Sequence, residues 1–232
     1  EQASTVAGEI DSLFYLIYWV SVVSFVLVIG ATAFFAWHYR SREGKRAVKT
    51  STHDNTLEMT WTIIPTILVA VMFWIGFKGF LDLKRAPEGS YEIQVTAFQW
   101  AWAFTYPNGF ESNELHVPAN QPVRLVMTST DVIHSLFIPA FRVKQDVVPG
   151  RYSSLWFEAV PGEEALAETG TVDYDLFCTE YCGDSHSAMI TKCVVHEDMG
   201  TFEAWLEKAS NIVDTLPPIE AGLYTYEKKG CT

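Results

Sequence analysis

The sequence predicts a helical hairpin that crosses a membrane twice, followed by an all-β Greek-key sandwich or barrel. Three observations lead there. Two long uncharged apolar runs lie within the first 82 residues. After about Tyr91 the pattern changes to short alternating runs broken by Pro, Gly and Asn. Acidic charge accumulates over that same second part.

At 232 residues the chain has room for one large domain, or for a smaller domain with a membrane anchor. The net charge of -12 argues against nucleic-acid binding and favours a basic partner. The chain starts at Glu1 without a methionine, as it would after removal of a signal peptide, although a shortened chain would look the same.

Residues 1–12 read as an outer-face tail carrying Glu1, Glu9 and Asp11 and no Lys or Arg. Residues 13–37 form the first uncharged run, which as a helix would extend about 37 Å, enough to span a bilayer with some tilt. Tyr15, Tyr18 and Trp19 near one end and Trp37 and Tyr39 at the other suit the two interfaces. Residues 38–57 are a basic loop with Arg40, Arg42, Lys45, Arg46 and Lys49, expected on the cytoplasmic side. Residues 58–82 are the second spanning helix, in which Pro65 predicts a kink. Lys78, Lys84 and Arg85 at its far end weaken the charge asymmetry but do not reverse it. Glu58 opens this helix; an acidic first-turn residue is ordinary there, and a carboxylate at a proton entrance is the sharper reading.

Residues 91–197 are expected to form the outer domain. Tyr91–Phe98, Val123–Ser129, Ser153–Glu158, Val172–Phe177 and Met189–Val195 alternate roughly with period two, and turn signals at Pro107, Pro118, Pro149 and Pro161 separate them. Such spacing predicts antiparallel strands. Residues 198–210 read as an amphipathic helix with Phe202, Trp205 and Leu206 on one face, and 211–232 as a tail. From Ala86 onward there are 21 Asp and Glu against 8 Lys and Arg, a solvated surface that could also steer a basic protein.

The chemistry concentrates in Cys178-Thr-Glu-Tyr-Cys182-Gly-Asp-Ser-His186-Ser-Ala-Met189. Thiolate, thioether and imidazole together favour copper over hard cations. One cysteine with a histidine and the methionine would make a mononuclear site. Two cysteines can instead bridge two metals, provided a second histidine arrives from elsewhere. His38 and His53 lie on the cytoplasmic side, and His116 and His196 read as ordinary surface residues. His134, at a strand end in Asp131-Val-Ile-His134-Ser, is the best candidate. Cys193 reads as a buried free thiol in a strand.

These motifs resemble subunit II of the haem–copper cytochrome c oxidases, whose outer cupredoxin domain carries the binuclear CuA centre. Cys178-x-Glu180-x-Cys182-x3-His186-x2-Met189 is similar to that family's ligand loop at every ligand position. Asp131-Val-x-His134-Ser with Lys144-x-Asp146-x-x-Pro149-Gly-Arg151, Glu58-x-x-Trp61-Thr-Ile-Ile-Pro65 and Gln99-Trp100-x-Trp102 resemble three further stretches.

The resemblance implies a cupredoxin-like fold and a set of roles. Cys178 and Cys182 would bridge two coppers, His134 and His186 would complete one each, and Met189 and the Glu180 carbonyl would be weaker ligands. The Glu180 side chain would face a magnesium or manganese ion shared with the catalytic subunit I. Trp100 would admit electrons from cytochrome c, and Glu58 would sit at the mouth of a proton pathway. Partners would be the haem–copper subunit and the other oxidase subunits. The location would be a bacterial inner (plasma) membrane, with the CuA domain on the periplasmic face. Ala97-Phe98 replaces the family's usual Gly-His before Gln99, and Ala140-Phe141-Arg142 also departs from many members. Gly230-Cys231-Thr232 reads like the approach to a c-type haem attachment site, so a fused cytochrome c domain, and c-type haem, would follow only if the natural chain continues beyond Thr232. A membrane-anchored copper carrier would explain the ligands but neither the Glu58–Pro65 nor the Trp100 match. A nitrous-oxide-reductase-like enzyme would need a further catalytic domain, and quinol oxidase subunits lack the two thiols.

Overall fold

The computed structural model describes residues 2–41, 51–162, 166, 169–211 and 217–228. Most of the basic loop, including Arg42, Lys45, Arg46 and Lys49, and Cys231 at the other end lie outside the described residues. Two compact units emerge, one over residues 9–81 and one over the residues up to Gly8 together with Asp82 onward.

The first unit is the hairpin. Helix α1 runs Ala7–His38 and α2 runs Asn55–Lys84. Both are long and apolar enough to cross a membrane, and their apolar windows are not buried within the protein. Leu13, near the start of α1, lies 3.7 Å from where a Cβ on Gly76, near the end of α2, would sit, so the two helices run antiparallel. Asp54 caps α2, accepting from the Leu57 amide at 3.0 Å. Pro65 lies inside α2 and deprives the Trp61 carbonyl of its usual donor.

Helix α1 begins six residues before the uncharged run, because Glu9 in the first turn suits the positive end of the helix dipole. The residues ahead of it are not a loose tail. Ala3 and Ser4 are buried, and Ser4 forms a bridge with Ala159. The Ala3 amide donates to the Ala140 carbonyl at 2.9 Å, the Val160 amide donates to the Ala3 carbonyl at 2.9 Å, and the Ser4 hydroxyl donates to the Phe141 carbonyl at 2.8 Å. Small side chains allow this insertion, and they carry none of the bulk that marks a core segment in a hydropathy pattern.

The second unit is a sandwich of two five-stranded sheets. One contains β1 (Tyr91–Phe98), β2 (Ala101–Thr105), β3 (Glu111–Ser112), β5 (Pro122–Ser129) and β8 (Ser153–Glu158), in the order β3-β2-β1-β5-β8. The other contains β4 (Leu115–Pro118), β6 (His134–Ile138), β7 (Val143–Val147), β9 (Thr171–Cys178) and β10 (Ile190–His196), in the order β4-β10-β9-β6-β7. Alternate residues point inward along strands such as β1, with Ile93, Val95 and Ala97, and β5, with Val123, Leu125 and Met127, while β10 buries Cys193 to His196 in succession. Burying each large side chain of this kind contributes about 1.5–3 kcal/mol.

The expectation of purely antiparallel strands is corrected at two places. β1 pairs with β5 in parallel, Tyr91 opposite Val123, and β4 pairs with β10 in parallel, Cys193 opposite Leu115. The chain crosses between the sheets after β3, so β4 and β5 enter opposite layers, each alongside a strand of its own direction. Crossovers of this kind leave no trace in local periodicity.

Helix α3 (Met199–Ser210) closes the β4–β10 edge. Asp198 and Thr201 form a capping box, and Phe202 and Leu206 are buried. A last helix, α4, runs Pro218–Lys228. The packing of α3 overturns the reading of His116 and His196 as ordinary surface histidines. His196 is buried, His116 keeps only 12% of its side chain exposed, and Trp205 stacks on the His116 ring at 3.7 Å.

Candidate metal centre

The candidate ligands come from the start of β6, the end of β9 and the loop joining β9 to β10. His134 opens β6 and is fully buried. Its Nδ1 lies 3.8 Å from Cys178 Sγ at the end of β9. Cys182 Sγ is 3.9 Å from Cys178 Sγ, 3.4 Å from His186 Nδ1 and 3.9 Å from Met189 Sδ. The Glu180 carbonyl lies 3.3 Å from Cys178 Sγ, while its side chain is exposed. Two thiols, two imidazole nitrogens, a thioether and a carbonyl oxygen thus converge. This donor set fits copper, and its soft sulfur atoms disfavour magnesium or calcium at the same point.

The loop returns on itself because the Cys178 amide donates to the Met189 carbonyl at 3.1 Å and the Thr179 amide to the Ser135 carbonyl at 2.9 Å. A single 3-10 turn, His186–Ala188, then brings His186 back over Cys182. Burial, with Cys178 alongside, pushes the Cys182 thiol up to about 11. At neutral pH the metal-free thiol is therefore protonated, and metal binding must release that proton.

Asp131 orients the first histidine. Its Oδ1 lies 2.8 Å from His134 Nε2, so that nitrogen donates and the Nδ1 lone pair is left facing Cys178. Burial alone would raise the Asp131 pKa, but hydrogen bonds from His134, Val132 and Gln99 outweigh it and hold the carboxyl below its ordinary value. The position of Asp131 three residues before His134 is the sequence signal for this role.

Trp100 lies on the surface next to the loop, 36% exposed. Its Nε1 donates to the Cys182 carbonyl at 3.2 Å, and Gln99 Nε2 donates to the same oxygen at 2.7 Å. Gly183 makes room for both. It has φ +120°, and a Cβ there would stand 3.1 Å from Gln99 Nε2 and 3.2 Å from Trp100 Cζ2. Gln99 stands in the motif with Trp100 but has no role legible from spacing, and Gly183 has no sequence signal beyond its place in the ligand loop. Trp102 packs edge-on against His134 with ring centroids 6.1 Å apart. Glu58 belongs to the hairpin unit, where its Oε1 lies 2.7 Å from His53 Nδ1.

Two family models match the chain. One, described as cytochrome C oxidase subunit II, transmembrane domain, matches residues 1–79; the other, cytochrome C oxidase subunit II, periplasmic domain, matches residues 110–196. Cytochrome c oxidase subunit 2 of Thermostichus vulcanus is 31% identical, covering 94% of this chain and 80% of that protein. The protein of the same name from Cereibacter sphaeroides is 29% identical, covering 95% and 84%. Among solved structures, the periplasmic domain of subunit II of cytochrome oxidase from Bradyrhizobium japonicum is 34% identical, covering 55% of this chain and 98% of that one, with a TM-score of 0.47.

Proposed function

This chain belongs to the cytochrome c oxidase subunit II family, and from that premise we propose that its sandwich holds a binuclear copper centre relaying electrons from cytochrome c to the haem–copper subunit that reduces dioxygen. The observation that carries the reading is the convergence of His134, Cys178, Cys182, His186, Met189 and the Glu180 carbonyl. When bound, the copper pair supplies a one-electron redox centre. Cys178 and Cys182 would bridge it as thiolates, His134 and His186 would each complete one side, and Met189 and the Glu180 carbonyl would close the remaining positions. A closed set of ligands suits a relay, because a catalytic metal keeps a position open for substrate.

The surrounding residues direct the traffic. Trp100 offers a partly exposed indole whose N–H meets the Cys182 carbonyl, a short route from the surface to a bridging ligand. The acidic excess from Ala86 onward would steer a basic donor towards this unit. The exposed Glu180 carboxylate would bind a magnesium or manganese ion shared with the catalytic subunit. His53 and Glu58 would form a hydrogen-bonded pair at a proton entrance on the cytoplasmic side. In this reading residues 13–37 and 58–82 cross a bacterial inner membrane, and residues 91–197 face the periplasm.

The test is metal analysis with electron paramagnetic resonance on the full chain in detergent. Two coppers sharing one unpaired electron, with a seven-line hyperfine pattern, are expected. A four-line signal from one copper, or bound zinc, would sink the proposal. In Cys182→Ser the seven-line signal and reduction by cytochrome c should both disappear while the β-sheet circular dichroism is kept.

A further inference from the structure

A cavity of about 290 Å³ lies where α2 ends, lined by Leu83, Lys84, Arg85, Arg124, Leu155 and Trp156, among others. We propose that it binds the headgroup of an anionic phospholipid, with phosphatidylglycerol as the type ligand. Three lines of observation lead there.

The first is charge. The unit that follows α2 is strongly acidic, and Arg124 is the only Lys or Arg between Ala86 and Phe141. That one arginine meets Lys84 and Arg85 around a single cavity. Three cations converging against the prevailing field of their own domain form a phosphate site, since arginine and lysine both match phosphate oxygens.

The second is construction. The Trp156 indole N–H donates to the Asp82 carbonyl at 3.0 Å, which fixes one wall. Lys84 Nζ donates to Gln145 Oε1 at 2.9 Å, and Arg124 is held by Glu92 at 3.5 Å. Two of the three cationic heads are therefore tethered, and Ser154 adds a hydroxyl to the lining.

The third is amphipathy and place. Leu83, Leu155 and Trp156 give the cavity apolar lining in addition to its cations. Leu83 and Lys84 belong to the last turn of α2, the turn that leaves the bilayer. Headgroup phosphates are concentrated at that depth, and a tryptophan with basic neighbours is the usual company for them. A free phosphate ion would use the cations but not the apolar wall.

The experiment uses the full chain in lipid nanodiscs, with phosphatidylglycerol or phosphatidylcholine brominated near the glycerol. Quenching of Trp156 is read as the difference between the native chain and Trp156→Phe. Brominated phosphatidylglycerol should quench at a mole fraction at least about tenfold lower than brominated phosphatidylcholine. The Arg85→Gln/Arg124→Gln double variant should bring the two lipids within about twofold of each other. If the double variant loses its β-sheet circular dichroism, Arg85→Gln alone carries the test, with a smaller shift in the same direction. Equal quenching by both lipids, or none by either, overturns the proposal. Loss of the preference in 10 mM inorganic phosphate also overturns it, by assigning the cavity to a free anion.

Discussion

His116 Nδ1 lies 3.0 Å from His196 Nε2, so one hydrogen must serve both nitrogens. The pair is enclosed by β4, β10 and α3. Glu114 stands 3.7 Å from His116 Nε2, the Tyr106 hydroxyl accepts from the His116 amide, and Trp205 and Phe202 supply aromatic walls. Burial pushes His196 below its ordinary value of 6.5. The unfolded chain therefore binds more protons than the folded one, and stability falls as pH drops below 6.5. The melting temperature of the outer unit should decline between pH 7 and pH 5, and His196→Gln should make that decline shallower. An equally steep decline in the variant would assign the effect to other groups.

Asp131 sets the tautomer of His134 across 2.8 Å. Asp131→Asn keeps the shape but replaces the charged acceptor with an amide. Copper affinity should fall by about 10–100-fold, measured by competition with a chelator. Unchanged affinity would mean that the strand alone positions the ring.

Gly183 holds a φ of +120° under the Trp100 ring. Gly183→Ala places a methyl group against Gln99 and Trp100 in a backbone conformation that L-residues avoid. The cost should be about 1–3 kcal/mol, read as a lower melting temperature. Reduction by cytochrome c should slow as well, because Trp100 must move. A variant with normal kinetics and stability would show that the loop yields freely.

The Ser4 hydroxyl donates to the Phe141 carbonyl from a buried position. Ser4→Ala leaves that contact unmade and should cost about 1 kcal/mol. Ala3→Asp should cost more, by burying an unpaired charge. Denaturant titration of the full chain in detergent resolves both, and neither should alter the copper spectrum.

The general architecture was legible because its signals are local. Uncharged runs mark α1 and α2, alternation marks strands such as β1 and β8, and the ligand spacing from Cys178 to Met189 lies within twelve residues. What escaped notice depends on contacts between distant segments. The His116–His196 pair joins residues 80 apart and forms only because β4 lies parallel to β10 under α3. Gly183 looks like any loop glycine until Trp100 arrives from the other sheet. Ala3 and Ser4 have no hydropathy signal, and it is the carbonyls of Ala140 and Phe141 and the amide of Val160 that give them a place.

That N-terminal clasp alters the connectivity of the molecule. Because Ala3 and Ser4 are stitched into the sandwich, the hairpin over residues 9–81 is an insertion between two parts of one unit. The hydrogen bonds of Ala3 and Ser4 thus act as a reversible cross-link that closes a ring of chain, with the entropy of closure met by a handful of backbone contacts. Cutting the chain near Gly8 would leave every candidate copper ligand in place while opening that ring.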